Sequence, residues 1–127
     1  MRIVIDLDGT LCETRRADQS YSDVAPIPEV VEAVRRWHAA GHTIVVQTAR
    51  HMLTCKGDVG KILARVGLVT LEWLKQHEIP YDEIYFGKPL GDIYLDDRAV
   101  RYDTSNGFGL GMVDEALRQW REVGFAE

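Results

Sequence analysis

Four short stretches of this chain carry residues able to do chemistry together. Asp6-Leu7-Asp8-Gly9-Thr10, Thr48-Ala49-Arg50, Gly87-Lys88-Pro89 and Asp96-Asp97 each follow a run of apolar or aromatic residues. Two carboxylates aimed at one point repel each other unless a cation or a shared proton lies between them. Several such acids at one rim call for a hard divalent ion. Mg²⁺ suits them, because it takes a few carboxylates and keeps waters for substrate oxygens. No cluster of His and Cys points to zinc instead. A threonine hydroxyl and free backbone amides beside such an ion suit a phosphoryl oxygen, so Thr48, Ala49 and Gly9 are candidates to hold a phosphate. Arg50 is either a further phosphate contact or a solvated surface residue. Each stretch also has a plainer reading. Asp6, Asp8 and Gly9 suit a turn after a strand, Thr48 suits a helix N-cap, and Lys88 or the Asp96-Asp97 pair suits solvent.

The chemistry requires elements that bring these residues to one place. Ile3-Val4-Ile5 reads as a buried strand ending at Asp6. Alternation aims Asp6 and Asp8 the same way if extended geometry persists through Leu7. A helix begins at Pro28, buries Val30, Val31, Val34 and Trp37 on one face, and stops at Gly41. Thr43 to Gln47 forms a second strand. Strand, helix, strand of this length is a right-handed crossover between parallel strands, which puts Thr48 at the rim that holds Asp6. Tyr81 to Phe86 and Asp92 to Asp97 read as third and fourth strands, delivering Lys88 and the last acids to the same rim. Adjacent residues on a strand face opposite ways, so Asp96 is expected as a direct metal ligand and Asp97 as a weaker one, acting through water. The link from Cys12 to Ile27 is long and polar, a length often kept for function. His51 to Val66 either shapes a pocket or an intersubunit contact, or is a surface excursion, part of it helical. A helix about Val69 to His77, a marginal strand at Phe108 to Leu110 and a last helix about Met112 to Val123 complete the chain.

The four stretches, in this order, resemble the motifs of the haloacid dehalogenase superfamily of phosphohydrolases over roughly Arg2 to Asp97. The resemblance implies an α/β fold: a three-layer, doubly wound (Rossmann-like) parallel sheet, without a large cap domain, since 12–27 has room only for a small flap. It implies Asp6 as nucleophile, Asp8 as acid and base, Thr48 and Lys88 as partners of the transferring phosphoryl group, and Mg²⁺ held by Asp6, Asp8, Asp96 and Asp97. The order of the two acids comes from that resemblance alone. Gln47 to His51 and Tyr85 to Pro89 are similar to small phosphatases of capsule and other polysaccharide biosynthesis, which implies a sugar phosphate or similar small metabolite and a homo-oligomer.

Length and charge narrow the remaining choices. The 127 residues suffice for a single domain, 1–127. A net charge of −5 argues against nucleic acid as a partner. No apolar run is long enough to span a bilayer. The first strand leads straight into the key acids, so a cleaved leader is not expected, and Cys12 and Cys55 read as free thiols of a cytoplasmic protein. A receiver domain that phosphorylates an aspartate is the rival of another class, but no lone Asp follows the second or third strand. An inactive binding module of the same fold is the other alternative.

Overall fold

The structure, a computed structural model, describes residues 1–120. Three parallel strands, β1 (Arg2–Asp6), β2 (Thr43–Thr48) and β3 (Glu83–Phe86), lie side by side in chain order. The register pairs Ile3 with Ile44, Ile5 with Val46 and Asp6 with Gln47, and Thr48 with Phe86. All three strands therefore end at one rim, as the crossover argument requires.

Helix α1 (Pro28–Ala39) starts on its proline and buries Val30, Val31, Val34 and Trp37. It stops at Gly41, whose φ of 94° few other residues tolerate. After β2 the chain turns through 49–58. It then runs without interruption through α2 (Val59–Ile62), a π-helical turn (Leu63–Gly67) and α3 (Leu68–Gln76). The sequence reading of a partly helical 58–66 and a separate helix at 69–77 thus becomes one continuous rod. Asp58 caps it by accepting the Lys61 N–H at 3.2 Å. Helix α4 (Leu110–Gln119) closes the described chain. The strand expected at Phe108 to Leu110 is a single bridge between Asp103 and Phe108. The end of the last expected helix, beyond residue 120, lies outside the described residues.

The apolar pattern decides which face is covered. Ile3, Ile5, Ile44 and Val46 share one side of the sheet and form a single core with Val30, Val34 and Trp37 of α1, and Trp73 and Leu74 of α3. Leu110, Val113 and Leu117 of α4 pack against that core. Stepping always in one direction across a sheet, with right-handed crossovers, puts the helices on the same face. On the opposite face Val4 and Tyr85 are exposed, Val45 between them is buried, and Arg2 and Glu83 form an ion pair. The α/β parallel sheet is as expected. The fourth strand is not formed by the described residues. Residues 92–97 are irregular and exposed. Five residues separate Phe86 from Asp92, whereas a parallel strand needs a crossover of about a dozen.

Candidate active site

Asp6 stands where β1 ends, and Lys88 just beyond β3. The Lys88 Nζ lies 3.2 Å from Asp6 Oδ1, joining residues 82 positions apart in the chain. The Lys88 backbone N–H donates to the Thr48 carbonyl at 3.1 Å, which fixes the exit of β3 to that of β2. Burial raises the pKa of Asp6 above the ordinary carboxylate value, while the Lys88 charge and hydrogen bond and the Leu7 N–H oppose that rise.

The turn after β1 is tied down locally. The Leu7 carbonyl accepts the N–H groups of Thr10, Leu11 and Cys12, and Gly9, with φ of 83°, donates to the Cys12 carbonyl at 2.7 Å. Gly9 is there for its left-handed backbone. Its N–H is taken by the Cys12 carbonyl.

Asp8 faces a different partner. Its two oxygens accept from Arg50 Nε at 2.9 Å and Nη2 at 3.0 Å. The Arg50 side chain is 1% exposed. Its Nη1 donates to Thr70 Oγ1 at 3.0 Å, and its guanidinium lies 4.0 Å from the centre of the Tyr21 ring. A buried guanidinium requires a counter-ion, and Asp8 supplies it. Arg50 is therefore neither a solvated surface residue nor placed as a phosphate contact: its donors are taken up inside the fold. Thr48, 1% exposed, accepts the Arg50 N–H at its Oγ1 at 3.1 Å and so shapes the turn into Arg50. Ala49 is half-buried in that turn, its carbonyl accepting the Met52 N–H.

Several residues here carried no signal in the sequence. Cys12 donates its thiol to Asp8 Oδ1 and the Leu7 carbonyl, and burial pushes its pKa up to about 12. Tyr21 lies between Arg50 and Arg15 and stacks edge-on to His51. Tyr94 lays its ring 4.4 Å from Lys88 Nζ and donates its hydroxyl to the Pro89 carbonyl. An aromatic residue in an otherwise polar link, as at Tyr21, was the available hint.

Asp96 and Asp97 depart most from expectation. Both are exposed, and Asp96 Oδ1 accepts the Arg98 N–H at 2.7 Å within its own turn. Among the described residues no group of three His, Cys, Asp or Glu forms a metal-ion cradle. Mg²⁺ is commonly held by one or two carboxylates, with waters and substrate phosphate completing its shell. Of the two first-motif acids, Asp6, one-third exposed, is the more open to a ligand, while both Asp8 oxygens are engaged by Arg50.

No protein-family model matches the chain, and neither does any curated protein. Among solved structures, a structural-genomics target from Vibrio cholerae is 39% identical, with a TM-score of 0.77. The match covers 93% of this chain and 97% of that one. A D,D-heptose 1,7-bisphosphate phosphatase from B. bronchiseptica, complexed with magnesium and phosphate, is 25% identical over 92% of this chain and 62% of its own. Its TM-score is 0.48, too loose a likeness to bear on the fold or the site. No described helix is long and apolar enough to cross a membrane.

Proposed function

The chain belongs to the same family as the Vibrio cholerae protein, and we propose that it is a magnesium-dependent phosphomonoester hydrolase of the haloacid dehalogenase type, one hydrolase domain acting on a sugar phosphate or similar small metabolite. One observation carries the proposal. Asp6 and Lys88, the acid of the first motif and the cation of the third, meet at 3.2 Å on the carboxyl rim of a parallel sheet. That rim is where open α/β sheets bind ligands. An ion pair at such a rim is a nucleophile beside a fixed positive charge, the pairing that attack on a phosphate ester needs.

Asp6 attacks phosphorus and becomes an aspartyl phosphate. Lys88, with its ammonium already within reach of the attacking oxygen, offsets charge on the phosphoryl oxygens. Asp8 gives a proton to the leaving alcohol as its bond to phosphorus breaks, and recovers one from the water that then attacks the phosphorus of the aspartyl phosphate, releasing inorganic phosphate and Asp6. For this it must loosen one of its two bonds to Arg50, whose other bond keeps the carboxylate aimed. Thr48 and the Ala49 backbone line the rim beside the phosphate. Asp6 and Asp8 would hold Mg²⁺, which neutralises charge on the phosphate when bound.

The test is hydrolysis of a chromogenic phosphate ester by the wild type and by Asp6→Asn. The wild type should release phosphate with Mg²⁺ and stop when the ion is chelated. Asp6→Asn should fall to the uncatalysed background with an unchanged circular dichroism spectrum. Turnover in that variant would remove Asp6 from the role.

A further inference from the structure

The longest exposed apolar stretch in the described chain follows β3 and belongs to no strand. Ile93, Tyr94 and Leu95 are 85%, 52% and 101% exposed. A contiguous patch of this kind marks a surface that something else covers. The outer edges of β1 and β3 pair with no strand among the described residues, and an open strand edge is a template for another strand; of the two, β1 is the one that carries Asp6.

The chain cannot supply that strand to itself. To lie parallel to β1 with Asp96 at the level of Asp6, Asp92 must sit about 13 Å down the sheet and about 14 Å across from β3, roughly 19 Å away. Lys88 is held at the rim by its N–H bond to Thr48. The four residues from there to Asp92 span at most about 14 Å.

We propose that the strand comes from a second copy: each chain lays its Asp92 to Asp97 segment along β1 of its partner, in parallel, across a two-fold axis. The pairing is specific at each position. With Asp96 beside Asp6, Tyr94 falls beside Val4 and Asp92 beside Arg2 on the open face. Ile93 and Leu95 fall beside Ile3 and Ile5 on the face that carries the core. Acid meets arginine, and the two most exposed aliphatic residues meet the apolar side of the sheet. A slip of one residue would reverse the faces and lose all of this. Withdrawal of Tyr94 from its own Lys88 also uncovers the Lys88–Asp6 pair. The donated Asp96 then stands at the rim as a third carboxylate, so each site is completed in trans. The inference rests on the phosphatase reading for its chemistry, and on chain length and side-chain pattern for its geometry.

Sedimentation equilibrium of the full chain should give twice the chain mass. Ile93→Lys/Leu95→Lys, which changes only exposed side chains of the single chain, should sediment as one chain. It should also bind Mg²⁺ at least about tenfold more weakly by titration calorimetry, a loss seen even when a metal ligand's neighbour is removed. A monomeric wild type, or a double variant that stays dimeric, overturns the inference whether or not the protein is a phosphatase. The second arm mixes Asp6→Asn and Asp96→Asn chains, each inactive alone, by refolding them together. Half the dimers then pair unlike chains and complete one of their two sites, so about a quarter of wild-type turnover should return. No return, with an active wild type, overturns strand donation while leaving the proposed activity intact. An inactive wild type of dimer mass would overturn the activity and leave the pairing standing.

Discussion

At the scale of single residues, the site is two ion pairs that differ in burial. The Asp6–Lys88 pair is open enough to react. Burial already raises the Asp6 pKa, and Lys88 is the main group opposing it. In metal-free protein, Lys88→Met should therefore move the Asp6 titration further upward, as read from its carboxyl carbon by NMR. A downward move would show that Lys88 is not the group that stabilises the carboxylate. The Asp8–Arg50 pair is structural first. Asp8→Ala strands a buried guanidinium, which typically costs about 3–5 kcal/mol. That variant should lose that much stability in urea denaturation as well as its activity, whereas Asp6→Asn should lose activity alone. If Asp8→Ala were as stable as wild type, Arg50 would have another counter-ion.

At the scale of elements, the 12–27 link proves to be anchored rather than loose. Trp73 of α3, 1% exposed, donates its indole N–H to the Val24 carbonyl at 2.9 Å, and Tyr21 lies over Arg50. The link is thus tied to the helical rod and to the site at once. Trp73→Phe keeps most of the packing but leaves a buried carbonyl unpaired, which costs about 1–3 kcal/mol. Amide exchange at residues 20–24 should accelerate more than in β2. Equal acceleration in both would mean that the link has no separate attachment to lose. The periodicity of apolar residues announced α1, β2 and α3 because burial of one face imposes it. It said nothing of Trp73 reaching Val24, since a periodic tryptophan looks the same whether or not its N–H has a partner.

At the scale of the whole molecule, Cys12 and Tyr102 hold their protons more tightly in the folded chain than in the unfolded one. Burial raises Cys12 to about 12 from an ordinary 9.0. Burial and then the hydrogen bond to Glu29 raise Tyr102 to about 12 from an ordinary 10.0. A group whose folded pKa is raised contributes stability that is complete below its unfolded pKa and lost as pH climbs through the folded one. Thermal midpoints should therefore decline steadily from about pH 9 towards pH 12. A level midpoint across that range would mean that neither group is protected.

The sequence by itself determined where β1, β2 and β3 end and what stands there, because strand, turn and helix are set by neighbours a few residues away. Asp6, Thr48 and Lys88 were placed at one rim by local pattern and the handedness of crossovers. Only the tertiary structure decided which charge each acid meets, that Arg50 is buried, and that 92–97 forms no strand among the described residues. Those are matters of distance between residues far apart in sequence. A hydrophobic run ending in two acids reads as a strand whether its neighbour belongs to the same chain or to another.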